Sequence, residues 1–209
     1  MKLALEDRAI HAIQSDCLVI GFTEGGAMTP SARHIDAVSG GAIGRLLESR
    51  DIQTAIGKTQ FLHGLPGLAA SRVLVVGFGK QDKLDLPRFD RACLAAGRAL
   101  RDHPLGSCHV CLHELEFGAT EPGQRLRQAA LAIHRANYLY TVTKPLKEDS
   151  PVPLAAATFQ GGASLQSALD QAAGFALGYE KARMLGDLPP NICNPAYLAQ
   201  EAAAIAEQF

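Results

Sequence analysis

No charge of one sign dominates this sequence: 20 Lys and Arg stand against 21 Asp and Glu, for a formal net charge of −1. With a pI near 6.6 the chain has no general attraction for a phosphate backbone or an anionic lipid surface, although a local basic patch survives such an average. No apolar run is long enough to span a bilayer, and Met1-Lys2-Leu3-Ala4-Leu5-Glu6-Asp7-Arg8 meets acids before any stretch of signal-peptide length develops. A cytoplasmic setting is the expectation. The cysteines are odd in number, Cys17, Cys93, Cys108, Cys111 and Cys193, and sit in apolar surroundings. That pattern suits small, buried, reduced side chains and not a disulfide framework. Two hydrolase signatures are missing, the GxSxG nucleophile elbow and the HExxH metal helix. Internal repeats and low-complexity tracts are missing too.

What is present is apolar material in a particular order. Hydrophobic residues make up 47% and charged residues 20%, enough apolar surface to bury a core and too little charge for a disordered chain. Short β-branched runs alternate with longer segments of helical period, which predicts an α/β layered sheet with helices on both faces. Cys17–Phe22 and Val73–Gly77 are apolar at successive positions, as central strands covered from both sides would be. Gln60–His63, Cys108–Leu112, Ala155–Phe159 and Lys2–Glu6 read as further strands. A first helix should follow Pro30, burying Ile35, Val38 and Ala42, and break at Gly40-Gly41 before Ile43, Leu46 and Leu47. Asp85 is placed to cap a second, whose Phe89, Ala92, Cys93, Ala96 and Leu100 share a face. A third is expected over Gly123–Thr141, presenting Leu126, Ala129, Ile133, Ala136 and Tyr140. A fourth, Ser164–Leu185, should present Leu165, Ala168, Ala172, Phe175, Tyr179 and Ala182. Lys144–Pro153, with three prolines, reads as a surface loop.

Candidate chemistry is sparse. Cys108-His109-Val110-Cys111-Leu112-His113 has zinc-knuckle spacing, but on a strand His109, Cys111 and His113 face one way and Cys108 the other. No second CxxC pair completes a site, so the expectation is a half-buried strand without metal. Gly57-Lys58-Thr59 resembles a P-loop tail, yet Ile52 stands where glycine is required and a strand follows. Gly77-Phe78-Gly79-Lys80 follows a strand, but Asp82 takes the place of the third glycine of a dinucleotide fingerprint, so a tight turn is expected. His11, His34, His63, His103 and His134 are dispersed and read as surface or cap residues. Lys80, Lys83, Arg88, Arg91, Arg98 and Arg101 form a basic series, interleaved with Asp82, Asp85, Asp90 and Asp102. A solvated face is its first reading, and DNA contact the alternative. No catalytic, cofactor-binding or metal-ligating residue is assigned.

The C-terminal stretch carries a family resemblance. Asn194 suits a helix N-cap, Pro195 the first helical position, and Cys193 can staple onto Leu198. Leu198, Ala202, Ile205 and Phe209 would form an apolar face with nothing after it to pack against, as though the sequence broke off inside a second domain. The helix Ala182–Gly186, the run Asp187-Leu188-Pro189-Pro190-Asn191-Ile192-Cys193-Asn194-Pro195 and Tyr197-Leu198-Ala199 resemble the interdomain junction of the leucyl (cytosol) aminopeptidases. Gly57-Lys58, Thr59–His63 and Arg72–Lys80 fall in that family's order. The resemblance implies a macro-domain-like N-terminal domain over 1–161, a long connecting helix over 162–186 and the start of a peptidase domain over 187–209. It implies a parent enzyme that releases N-terminal residues from peptides, as a homo-hexamer, with two divalent metals, manganese or zinc, held outside this chain. The family's ligand run Asn-Thr-Asp-Ala-Glu-Gly-Arg has no counterpart here, so the chain alone is expected to be inactive and to serve assembly or access control. The macro-like fold suggests an alternative, a module for ADP-ribose or a nucleotide with Gly25-Gly26 and Gly40-Gly41 at its cleft, and some relatives suggest DNA binding.

Overall fold

The computed structural model describes residues 1–25, 28–145 and 152–208. Six strands form one mixed sheet in the order β1-β6-β5-β2-β4-β3, comprising β1 (Lys2–Glu6), β2 (Leu18–Glu24), β3 (Thr59–His63), β4 (Arg72–Lys80), β5 (Ser107–Val110) and β6 (Ala156–Gln160). All neighbours are parallel except β3, which closes one edge antiparallel to β4. The two strands expected at the centre from their two-sided hydrophobicity are central, paired from Leu18↔Val73 to Phe22↔Gly77.

Alternation along these strands divides the core in two. Val19, Leu74 and Val76 pack with Phe89, Ala92 and Ala96 of α3 (Leu86–Arg101) and Leu126 and Ile133 of α4 (Pro122–Asn137). Leu169 and Ala172 of α5 (Gln166–Asp187) complete that side. On the opposite face Leu18, Ile20, Phe22, Val73 and Val75 meet Ala32 and Ile35 of α1 (Pro30–Val38) and Ile43 of α2 (Ala42–Glu48). The expected break between α1 and α2 is there: Gly40 and Gly41 have φ of +68° and +77°, a backbone that side-chain-bearing residues resist. Asp85 caps α3 by accepting from the Arg88 N–H at 2.9 Å.

Three expectations need correction. α4 stops at Asn137 rather than Thr141, because the Asn137 amide bonds both the N–H (2.7 Å) and the carbonyl (3.0 Å) of Leu154 and the chain leaves in extended form at Tyr138. Tyr140 therefore lies off the helix. α5 buries Leu169, Ala172 and Ala176, so its inner face is rotated from the expected one, and Phe175 is 60% exposed. Gly77-Phe78-Gly79-Lys80 is no turn but the end of β4, against which the segment 54–58 lies, with Gly57 N–H bonded to the Gly77 carbonyl and Gly77 N–H to the Lys58 carbonyl. At the far end α6 (Pro195–Gln208) begins as expected, the Asn194 side chain accepting from Tyr197 N–H at 3.0 Å. Gly26, Phe209 and residues 146–151 of the expected loop Lys144–Pro153 lie outside the described residues.

Candidate functional site

Adjacent strands β2 and β5 send their following helices to opposite faces, α1 to one and α4 to the other. A crevice must open where the two chains diverge, beyond the carboxyl ends of the strands, the place where open α/β sheets bind ligands. A cleft of about 620 Å³ lies there, with Thr29, His113, Glu114, Arg125 and Gln160 among its walls.

The cleft is provisioned by its own chain. The N-terminus of α1 offers free N–H groups and a positive partial charge, the usual receptor for an anion. Glu114, delivered by the turn after β5, already sits there: its carboxylate accepts from Ser31 N–H at 2.9 Å and from Ser31 Oγ at 2.5 Å. Thr29 accepts the Ala32 N–H at 3.3 Å. Removing the carboxylate in Glu114→Ala takes away two charge-assisted bonds at a helix start and is expected to lower stability by about 1–2 kcal/mol, read as a shift in the urea midpoint.

Arg125 is buried on α4 with no carboxylate within ion-pair distance among the described residues. Its Nε donates to the His113 carbonyl at 2.9 Å and its Nη1 to the Thr120 carbonyl at 2.5 Å, so it fastens the β5–α4 connection that carries Glu114. Two buried imidazoles lie at this wall, His113 lining the cleft and His109 behind it, against the lining Gln160. His113 Nε2 donates to the Gln160 carbonyl at 2.7 Å, which leaves its Nδ1 as an enclosed lone pair without a partner. His109 lies between the Thr158 hydroxyl (2.8 Å) and Gln160 Oε1 (3.0 Å). Burial pushes both rings down to about 4, so they stand neutral, and protonating His113 would create an N–H with no acceptor. Neither is poised as a general base, which works best with a pKa near the operating pH.

The cysteine–histidine run does not assemble a metal site. Cys108 belongs to the core on one side of the sheet and Cys111 to the core on the other. Burial raises both thiols, whereas zinc requires thiolates. Among the described residues no three His, Cys, Asp or Glu side chains come close enough to hold a metal ion. The manganese or zinc implied by the resemblance therefore finds no fitting donor set here.

Other expected features are scattered. Gly40 and Gly41 do not line this cleft, and Gly25 lines a separate hollow of about 950 Å³ at the end of β2. Gly57 sits in a turn before β3. His11 and His34 stack at the surface, Nδ1 to Nε2 2.6 Å, and His63 is exposed. His103 Nδ1 donates to the Ala99 carbonyl of α3 at 2.8 Å, and its ring lies against that of Phe61, 4.1 Å between centroids. His134 departs from its surface reading: it is buried on α4 and bonded to Glu180 of α5 at 3.1 Å. In the basic series Arg88 pairs with Asp85 and Arg101 with Asp102, while Lys80, Lys83, Arg91 and Arg98 are exposed. Glu114, Ser31, Arg125 and Gln160 were not legible as site residues, because the contacts joining them span 12 to 83 positions.

Comparison with known proteins places the same fold in a family. The family model described as "Cytosol aminopeptidase family, N-terminal domain" matches residues 19–146. A probable cytosol aminopeptidase of Xanthomonas campestris pv. campestris is 36% identical over all 209 residues, and one of Stenotrophomonas maltophilia is 39% identical over 201. The chain spans 42% and 40% of the length of these relatives. Among solved structures, a mutant of tomato leucine aminopeptidase superposes with a TM-score of 0.76 at 21% identity, over all of this chain and 42% of that one. The bottromycin maturation enzyme BotP in complex with Mn gives 0.71 at 20% identity, over 93% of this chain and 36% of that one, which shows a shared fold. No helix among the described residues is long and apolar enough to cross a membrane.

Proposed function

This chain belongs to the cytosol aminopeptidase family, as its N-terminal domain, and we propose that it is a non-catalytic scaffold for assembly of, and access to, a peptidase centre carried elsewhere in the protein. The observation that carries this reading is the occupancy of the cleft: the α1 N-terminus on its wall is filled by Glu114, and the histidines beneath are neutral, His109 bonded to Gln160 Oε1 and His113 Nε2 to the Gln160 carbonyl. A reactive site needs a free base or an open electrophilic centre. By family membership the whole protein would release N-terminal residues from peptides, as a hexamer in the cytoplasm, with manganese or zinc bound outside these residues. The domain limits 1–161, 162–186 and 187–209 belong to the same proposal, supported by α5 starting in the core and ending at Asp187, ahead of the Asn194 cap of α6.

The ligand-binding alternative has the cleft in its favour, but a phosphate bound at the α1 N-terminus would have to displace a carboxylate of the same charge sign. The scaffold reading is tested with the purified 209-residue chain, leucine p-nitroanilide and added manganese. No release of p-nitroaniline above the metal-only blank is expected. Metal-dependent turnover that survives repurification would overturn the proposal.

A further inference from the structure

We propose that a second, smaller pocket, at the junction of α3, α4 and α5, binds a compact phosphate-type oxyanion. Four guanidinium groups from three helices share its wall: Arg98 and Arg101 from the last turn of α3, Arg135 from the last turn of α4, and Arg183 from α5. Tyr138 and Tyr179 lie among them, and no carboxylate does.

The acids nearby sit outside the wall. Asp90 takes Arg135 Nη1 at 2.9 Å and Gln128 at 2.6 Å, Asp102 takes Arg101 at 3.2 Å, and Asp187 takes the Tyr138 hydroxyl at 3.0 Å with Arg183 Nε at 3.8 Å. Four cations against three anions leave one positive charge in excess, and the pocket side holds only the cations. Arg101 is also spent on the Ala136 carbonyl, at 3.0 Å. Arg98 has no ion-pair partner among the described residues. One donor is conspicuous: Arg135 Nε is enclosed and has no acceptor, an arrangement that costs free energy unless something supplies one.

The groups are also held in place. Arg135 lies over the Tyr179 ring, 5.5 Å from its centroid, and Arg183 over Tyr138, at 4.7 Å. Cation–π stacking of this kind fixes the guanidinium plane before a ligand arrives. Guanidinium groups gathered on one wall from three helices suit a tetrahedral dianion better than a single carboxylate. The volume, about 200 Å³, is below the ~300–1,000 Å³ of pockets that enclose whole organic ligands, so the occupant is a phosphate or pyrophosphate-sized group and not a nucleotide.

The test is a titration of the 209-residue chain with inorganic phosphate and with pyrophosphate, at ionic strength held constant with chloride. Heat and the Nε–H resonance of Arg135 are followed together. Saturable binding at millimolar concentration or tighter is expected, with a shift of that resonance, and with affinity weakened roughly tenfold or more in R98E and less in R98A. Arg98 is exposed, so both variants should keep the wild-type melting temperature in the absence of anion. Failure of both anions to saturate, an unmoved Arg135 resonance at saturation, or equal affinity in R98E would overturn the proposal. Salt-sensitive binding of duplex DNA that R98E abolishes, in a protein that neither small anion saturates, would overturn it in favour of a polynucleotide contact.

Discussion

Acidification is expected to destabilise this domain steeply between the ordinary histidine range and a pH of about 4. His109 and His113 carry ordinary values of 6.5 that burial lowers to about 4 in the folded chain. Over that interval the unfolded chain takes up protons that the folded chain refuses, so stability falls as pH falls. Above 6.5 both rings are neutral in either state and contribute no slope. Each ring is expected to remove roughly 3 kcal/mol once the pH has passed through the whole window. Two such losses rival the roughly 5–15 kcal/mol total of an ordinary domain. Urea unfolding at neutral pH and at several acidic values reads this directly. His109→Gln, which can still bond Thr158 and Gln160, should flatten the slope by about one proton. A wild-type stability that stays level from neutral pH down to the carboxylate range would contradict the burial seen at both rings.

The sheet's centre was legible because its signal is local. Val73–Gly77 and Cys17–Phe22 are apolar at consecutive positions, and only a strand covered on both sides uses that pattern economically. The helix ends Asp85 and Asn194 were legible for the same reason, since a cap acts within one turn. The inner face of α5 was not. Ala168, Ala172, Ala173 and Ala176 make several stripes almost equally apolar, so the choice between Phe175 and Ala176 is made by packing on α4. The end of α4 was set by a side chain, Asn137, reaching Leu154 seventeen positions on. The cleft was illegible altogether: a serine and a glutamate 83 residues apart carry no common pattern, and Arg125 reads in sequence as one more exposed charge on an amphipathic helix.

Gly77→Ala is expected to be the most damaging small substitution in the domain, although Gly77 lies in a strand with ordinary backbone angles. The reason is contact and not conformation. A Cβ at this position would lie 2.2 Å from the Ala55 carbonyl oxygen and 2.7 Å from the Thr54 carbonyl carbon and oxygen. Those are main-chain atoms of the segment that lies against β4, and they cannot rotate away as a side chain would. Moving them breaks the bonds that tie the segment down, Gly57 N–H to Gly77 at 2.9 Å, Gly77 N–H to Lys58 at 2.8 Å and Gly79 N–H to Thr54 at 2.8 Å. The expected loss is roughly 3 kcal/mol or more, the upper range of overpacking, and a melting temperature lower by about 10 °C in a chain of this size. Gly174→Ala supplies a control of opposite sign: on α5 an added Cβ meets nothing within 4 Å, and alanine in a helix interior should stabilise by about 0.5–1 kcal/mol. Thermal melts of the two variants beside the wild type decide the matter. Gly77→Ala melting within a degree or two of wild type would mean that segment 54–58 does not lie against β4 as described, and the edge of the sheet that β3 closes would have to be redrawn.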